Sequence, residues 1–266
     1  MKKLLLILSL STAPIYVWAE AGKDNGPGFS STTASESDTH KSHSDQVETV
    51  SSPFPNYGGL VVDWGFNCLR NSPSKMGTSF WQSRFINVYF FYNIRLGSSR
   101  FTISPGIGLA FDGYQFEDGS SALVRDDTGD RNTIFKKTDE LFPRKEEFVA
   151  SSLDVRYLDF LVLEARFNAN NECPKEGFFA ALGLKLGLRW NASTTIKYKE
   201  DDMIKTQHNV ESFNLQGMRA GLHARFGWGR FGLCYTHILS NLFKEDKGPE
   251  NTTAKPFHIG ISIDLL

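Results

Sequence analysis

The sequence predicts an all-β chain, an eight-stranded antiparallel transmembrane β-barrel of up-and-down topology. Three observations predict it. From residue 57 onward, apolar and polar residues alternate with period two, as in strands with one apolar and one polar face. Eight segments carry this alternation, and bacterial single-chain barrels have an even number of strands. The connections between segments alternate strictly between short and long, as expected of short periplasmic turns and longer outward loops.

The last segment is the cleanest, with Phe257, Ile259, Ile261, Ile263 and Leu265 on one face and His258, Gly260, Ser262 and Asp264 on the other. The first sets Leu60, Val62, Trp64 and Phe66 against Gly59, Asp63, Gly65 and Asn67, with Val61 the exception. The second puts Ile86, Val88, Phe90, Tyr92, Ile94 and Leu96 on one side, and its other side mixes Asn87, Asn93 and Arg95 with Tyr89 and Phe91. The third sets Phe101, Ile103, Pro105, Ile107, Leu109 and Phe111 against Thr102, Ser104, Gly106, Gly108, Ala110 and Asp112.

The fourth sets Leu153, Val155, Tyr157, Leu161, Leu163, Ala165 and Phe167 against Asp154, Arg156, Glu164, Arg166 and Asn168. One misfit stands in it: Asp159 falls on the apolar face, while Leu158, Phe160 and Val162 fall on the polar one. Either a bulge lies near 158–160, or Asp159 sits at the membrane boundary. The fifth sets Leu182, Leu184, Leu186, Leu188 and Trp190 against Gly183, Lys185, Gly187 and Arg189. The sixth sets Met218, Ala220, Leu222, Ala224, Phe226 and Trp228 against Gly217, Arg219, Gly221, His223 and Arg225. The seventh sets Phe231, Leu233 and Tyr235 against Arg230, Gly232, Cys234 and Thr236. Short connections fall at 97–99, 169–177 and 227–229, and long ones at 70–81, 115–147, 191–212 and 240–255. Both ends of the barrel then face the periplasm.

A soluble lipocalin-like barrel also alternates, with its apolar face inward. Two features favour the membrane arrangement. The polar face is rich in glycine (Gly106, Gly108, Gly183, Gly187, Gly217, Gly221, Gly232, Gly260), which suits a cramped lumen better than a water-facing surface. Aromatic residues gather near strand ends, at Trp81, Tyr114, Phe167, Phe178, Trp190, Trp228 and Phe257, as at a bilayer interface.

The lumen is expected to hold a structural charge network of Asp63, Arg95, Asp112, Asp154, Arg156, Glu164, Arg166, Lys185, Arg189, Arg219, Arg225 and Asp264. Buried charges must be paired, so these residues read as a salt-bridged plug. An eight-stranded barrel leaves little room for an aqueous channel.

The N-terminus has the form of a cleaved signal peptide over residues 1–21, with Lys2 and Lys3, an apolar stretch from Leu4 to Val17, and Ala19-Glu20-Ala21 at the cleavage site. Residues 22–56 are polar and poor in large apolar residues, and are expected to form a flexible periplasmic extension. His40 and His43 within it read as solvated. The barrel is assigned to 57–266.

With 29 basic and 30 acidic residues the chain is nearly neutral, which argues against a nucleic-acid partner. Cys68, Cys173 and Cys234 are odd in number and widely spaced, so neither a metal site nor a disulfide framework is expected. No cofactor is expected either. No G-x-S-x-G, H-E-x-x-H or glycine-rich phosphate loop occurs in the barrel region, and the chain reads as a non-enzyme. The alternative is a lipid-modifying outer-membrane enzyme using a rim histidine, with His237 near Ser240, or His223, as candidates. The charged loop Glu117–Glu147, with Arg125-Asp126-Asp127, Asp130-Arg131 and Lys136-Lys137, is the place to look for recognition of a partner.

The stretch Tyr235-Thr236-His237-Ile238-Leu239-Ser240-Asn241-Leu242-Phe243-Lys244, continuing through Gly248-Pro249 to Pro256-Phe257-His258-Ile259-Gly260-Ile261-Ser262, resembles the outer-membrane β-barrel domain common in the Bacteroidetes, the group that includes PorT-like proteins. Leu158-Asp159-Phe160-Leu161 is similar to that family's Leu-Glu-Ile-Pro strand motif, without its proline. The resemblance implies the barrel fold, residence in the outer membrane of a Gram-negative bacterium, contact with its lipid, and a link to envelope or secretion-system proteins.

Overall fold

A computed structural model describes residues 9–10, 13–14, 57–73, 76–117, 121–125, 132–137, 147–170, 176–200 and 203–265. The chain divides into two units, Met1–Val50 and Ser51–Leu266. In the first, the described residues are Ser9–Leu10 and Ala13–Pro14, which pair antiparallel. The rest of the leader expected over 1–21, the 22–56 extension with His40 and His43, and Cys173 lie outside the described residues.

The second unit is a closed ring. Its strands are β1 (Tyr57–Arg70), β2 (Arg84–Arg95), β3 (Phe101–Gln115), β4 (Glu147–Asn168), β5 (Phe178–Glu200), β6 (Met218–Trp228), β7 (Phe231–Ile238) and β8 (Lys255–Asp264). Each pairs antiparallel with its neighbours in sequence, and β8 returns to β1 from Lys255↔Arg70 to Asp264↔Val61. Closure leaves none of the eight with an open edge along the ring, which is the condition for spanning a bilayer with strands. Tight turns join β2 to β3 and β6 to β7, where Gly97 (φ 57°) and Gly229 (φ 63°) take left-handed conformations.

The faces sort as the alternation requires. Leu182 is 70% exposed and Ile107 58%, whereas Tyr89, Lys185 and His258 are fully buried. Apolar side chains thus point out of the ring and charged ones into it, the reverse of a lipocalin. Tyr89 and Phe91 also face inward and fill the lumen beside the polar groups. No helix among the described residues is long and apolar enough to cross a membrane.

Three expectations need correction. First, β4 changes phase. Gly106 pairs with Val162 and Gly108 with Asp159, so Phe160 and Leu161 together oppose Ile107. This is a β-bulge, with two residues set against one. Both face outward, and the alternation resets on either side. Leu153, Val155 and Tyr157 therefore point inward and are buried. Asp154 and Arg156 stand on the outer wall, where Arg156 lies 5.9 Å from the centre of the exposed Trp190 ring.

Second, 191–212 is not a plain loop. β5 runs on to Glu200 and pairs with a further strand, Met203–Val210. The loop after β3 likewise carries a hairpin, Ser121–Arg125 with Thr133–Lys137. Third, Tyr114 is not an interfacial aromatic; it is buried at the inner mouth of the barrel. Trp81, Phe178, Trp190 and Trp228 do stand exposed on the outside.

A closed barrel with a packed interior resists detergent until heated. The folded protein should run ahead of the boiled protein on a gel, and identical mobility before and after boiling would contradict the ring.

Candidate functional site

The interior holds two ion-pair clusters under an apolar plug. The upper cluster centres on Asp159, which the bulge turns inward. Arg219 from β6 grips both of its oxygens, with Nη2 at 2.9 Å from each and Nε 3.1 Å from Oδ1. The same guanidinium donates through Nη1 to Asp112 of β3 at 2.7 Å. Lys185 of β5 lies 3.3 Å from Asp159 and donates to the Tyr89 hydroxyl at 2.6 Å, which in turn donates to Asp159 at 3.2 Å. The Arg219 guanidinium also packs 3.9 Å from the centre of the Tyr157 ring, a planar contact that lysine could not reproduce.

The lower cluster centres on Arg225. It forks onto Glu164 at 2.8 and 2.6 Å and donates to Asp264 at 2.9 Å and Ser262 at 3.2 Å. Arg166 meets the other oxygen of Asp264 at 2.7 Å and packs 4.0 Å from the centre of Phe179. Between the clusters His223 donates to, or accepts from, Thr236 through Nδ1 at 2.8 Å. Its Nε2 faces Asp63 at 3.8 Å and Glu164 at 3.9 Å. His258 stacks on Phe85 and faces Asp112 at 3.6 Å.

Of the expected network, Asp112, Glu164, Arg166, Lys185, Arg219, Arg225 and Asp264 meet in these clusters, and Asp63 lies between them, facing His223 at 3.8 Å. Arg95 and Arg189 share the inward face but sit apart. Arg95 Nε donates to the Ser99 carbonyl at 3.3 Å, and Arg189 Nε to the Gln216 carbonyl at 3.4 Å. Asp154 and Arg156 do not take part, for the reason given above. Asp159 was missing from the expected set because strict alternation placed it on the wrong face, and its misfit was the one signal of the bulge. Alternation sets Tyr89 and His258 on the inward faces, where both are buried, but they are not among the expected polar partners, because spacing along one strand does not show which groups meet across the ring.

Glycine makes the room. A Cβ on Gly187 would run into the Asp159 carboxylate and the Arg219 side chain. Gly65 and Gly260 face each other across the β1–β8 seam, and a Cβ on either would strike the opposite backbone.

Above the clusters the mouth is closed by apolar residues from all four long connections. Met76, Leu123, Phe213, Leu215, Leu242 and Phe243 come from the loops and pack onto Tyr114, Leu153, Val155 and Tyr157 from the wall. Loop backbone bonds stitch the plug together: Thr133 N–H to Lys247 O at 2.9 Å, Lys244 N–H to Asn214 O at 2.8 Å, and Glu117 N–H to Gly77 O at 2.9 Å. Phe213 holds φ 44°, a strained conformation for a bulky residue, offset by its complete burial in the plug. Among the described residues no group of three or more His, Cys, Asp or Glu side chains is arranged to hold a metal ion. The described cysteines, Cys68 and Cys234, are free thiols.

Removing one partner from a buried pair costs about 3–5 kcal/mol, since the other charge stays buried. Arg219→Met should therefore sharply lower the temperature at which the folded band is lost. Asp154→Asn on the outer wall should change stability by less than about 0.5 kcal/mol. Equal losses in the two variants would contradict the inward turn of Asp159. Gly187→Val should fall with Arg219→Met, because it forces the same pair apart.

Comparison with curated proteins finds no match. The family described as outer membrane protein beta-barrel domain matches residues 42–245, more than half of the chain and all of β1 to β7. The closed eight-stranded ring, its apolar outer wall and this match lead to one conclusion: the chain belongs to the outer membrane protein β-barrel domain family.

Proposed function

We propose that this protein is a non-enzymatic, non-conducting barrel of the Gram-negative outer membrane, exported by a cleaved signal peptide and acting through its outward loops. In this reading it is a PorT-like structural or interaction protein that works with envelope or secretion-system components. The observation that carries the reading is the sealed mouth. Four loops converge on one apolar plug, and two ion-pair clusters fill the space beneath it. An interior so filled by side chains supports the reading of a non-conducting barrel. The loops that make the plug also build an ordered outward surface, including the hairpin from Ser121–Arg125 to Thr133–Lys137. The charged residues Asp126, Asp127, Asp130 and Arg131 between its strands lie outside the described residues.

Three further observations weigh against the enzyme alternative. Ser240 is occupied in backbone bonding: its Oγ accepts the Ala220 N–H at 3.3 Å. His237 lies on the outer wall of β7, opposite Phe257, and no described carboxylate pairs with it. His223 faces two carboxylates, but it is buried beneath the plug, out of reach of a lipid substrate.

The purified barrel in a planar bilayer should give no steady conductance. A stable open level would refute the sealed lumen. In cells, deletion should leave the lipid A and phospholipid profiles unchanged while reducing the release of exported proteins. Replacing residues 121–137 by a short linker should fail to restore export, although the variant still reaches the outer membrane and remains heat-modifiable. Full complementation by that variant would remove the role given to this loop, and an altered lipid profile would revive the enzyme reading.

A further inference from the structure

We infer that the outward end of the β8–β1–β2 wall is a binding site for the phosphate of an outer-leaflet lipid, clamped between Arg70 and Lys255. These two residues are direct cross-strand partners where β8 meets β1. Both point outward, on the faces that lower down carry Trp64 and Phe66 on β1 and Phe257 and Ile259 on β8. Side chains directly opposite in an antiparallel pair have Cβ atoms about 4.5–5.5 Å apart. Like charges so placed repel and destabilise the pairing. Among the described residues, no carboxylate forms an ion pair with Arg70 or Lys255. The pair is therefore an unbalanced double cation.

The backbone holds the pair in place. Asn71, the residue after Arg70, adopts φ 58°, and its carbonyl accepts the Thr252 hydroxyl at 3.1 Å. This bond joins the segment before β8 to the residue after β1 and adds to the strand pairing that holds the two backbone positions side by side. Arg84 adds a third charge on the adjacent strand, opposite Phe66, with Nε 3.4 Å from the Trp81 carbonyl.

The occupant follows from what adjoins the patch. The cations sit at the edge of the exposed apolar wall, above a cluster in which Phe66 stacks on Phe80 at 4.9 Å and meets Trp81 edge-on at 5.3 Å. A ligand filling both zones has a phosphate at its head and acyl chains below. Guanidinium and ammonium groups together satisfy phosphate oxygens by charge-assisted bonds. Free phosphate would use the cations and leave the wall empty. The assignment to the outer leaflet rests on the outward orientation of the long loops given under the proposed function.

The test uses the full-length protein in neutral detergent and reads the temperature at which the unboiled band disappears. The probes are bisphosphorylated lipid A, the same lipid with its phosphates removed, and inorganic phosphate. Bisphosphorylated lipid A should raise the midpoint by several degrees, and the dephosphorylated form or free phosphate by much less. The double variant Arg70→Gln/Lys255→Gln should lose most of the rise. Without lipid it should be at least as stable as the native protein, because the repulsion is gone. Arg84→Gln, as a separate variant, should lose part of the rise. A full rise in the double variant would overturn the clamp, as would an equal rise with dephosphorylated lipid. An equal rise with inorganic phosphate would reduce the site to a simple anion site and overturn the lipid. Orientation is read separately, from Thr253→Cys labelled in intact cells by a membrane-impermeant maleimide. Protection of that cysteine would overturn the outer-leaflet assignment whatever the lipid titration gives.

Discussion

A sheet of eight strands closed on itself has an interior that must be filled by its own side chains. The bidentate contact between Arg219 and Asp159 sits at the middle of that interior and sets the terms for the rest. It needs a carboxylate facing inward at a place where plain alternation would send it outward. The β4 bulge at Phe160 supplies that. It also needs an absent side chain at Gly187 and an aromatic surface at Tyr157. A charge pair taken out of water survives only when its remaining donors and acceptors are met, and here Lys185, Tyr89 and Asp112 meet them.

The bulge has a second consequence. By resetting the phase of β4 it brings Leu153, Val155 and Tyr157 to the inner mouth, where the loops find an apolar surface to settle on. The ionic centre and the apolar plug are thus products of one extra residue in one strand. The same reset expels Asp154 and Arg156 to the outer wall. The barrel is layered along its axis, with an apolar lid, then the Asp159 cluster, then the Arg225 cluster nearest the β6–β7 turn. This layering fills the described interior of the barrel with side chains from the mouth down to the β6–β7 end.

The outer wall is not uniform. Most of it is apolar from one end to the other, as lipid requires. At the seam where the ring closes, Arg70 and Lys255 are placed face to face. Barrel closure brings together two residues 185 positions apart, and no property of either strand alone would reveal the pairing. A device of this kind exists only because the ring is closed in this register.

Much of the architecture was legible in the sequence because a strand exposed to lipid on one face and to a filled lumen on the other writes its alternation into every second residue. The strand count, the order of short and long connections, and the inward face of Asp63, Asp112, Glu164, Lys185, Arg219, Arg225 and Asp264 follow from local pattern alone. The pairing of those charges did not, because partners such as Arg219 and Asp112 stand 107 residues apart and are joined only by packing across the ring. The inward turn of Asp159 was signalled as a misfit but decided by the register of β3 against β4, a non-local fact. The folding of the loops into the mouth was invisible to period-two reading, since a loop has no repeat to read. Alternation, a property of neighbours along the chain, determined which way most side chains face. Closure, a property of the whole ring, decided which of them meet.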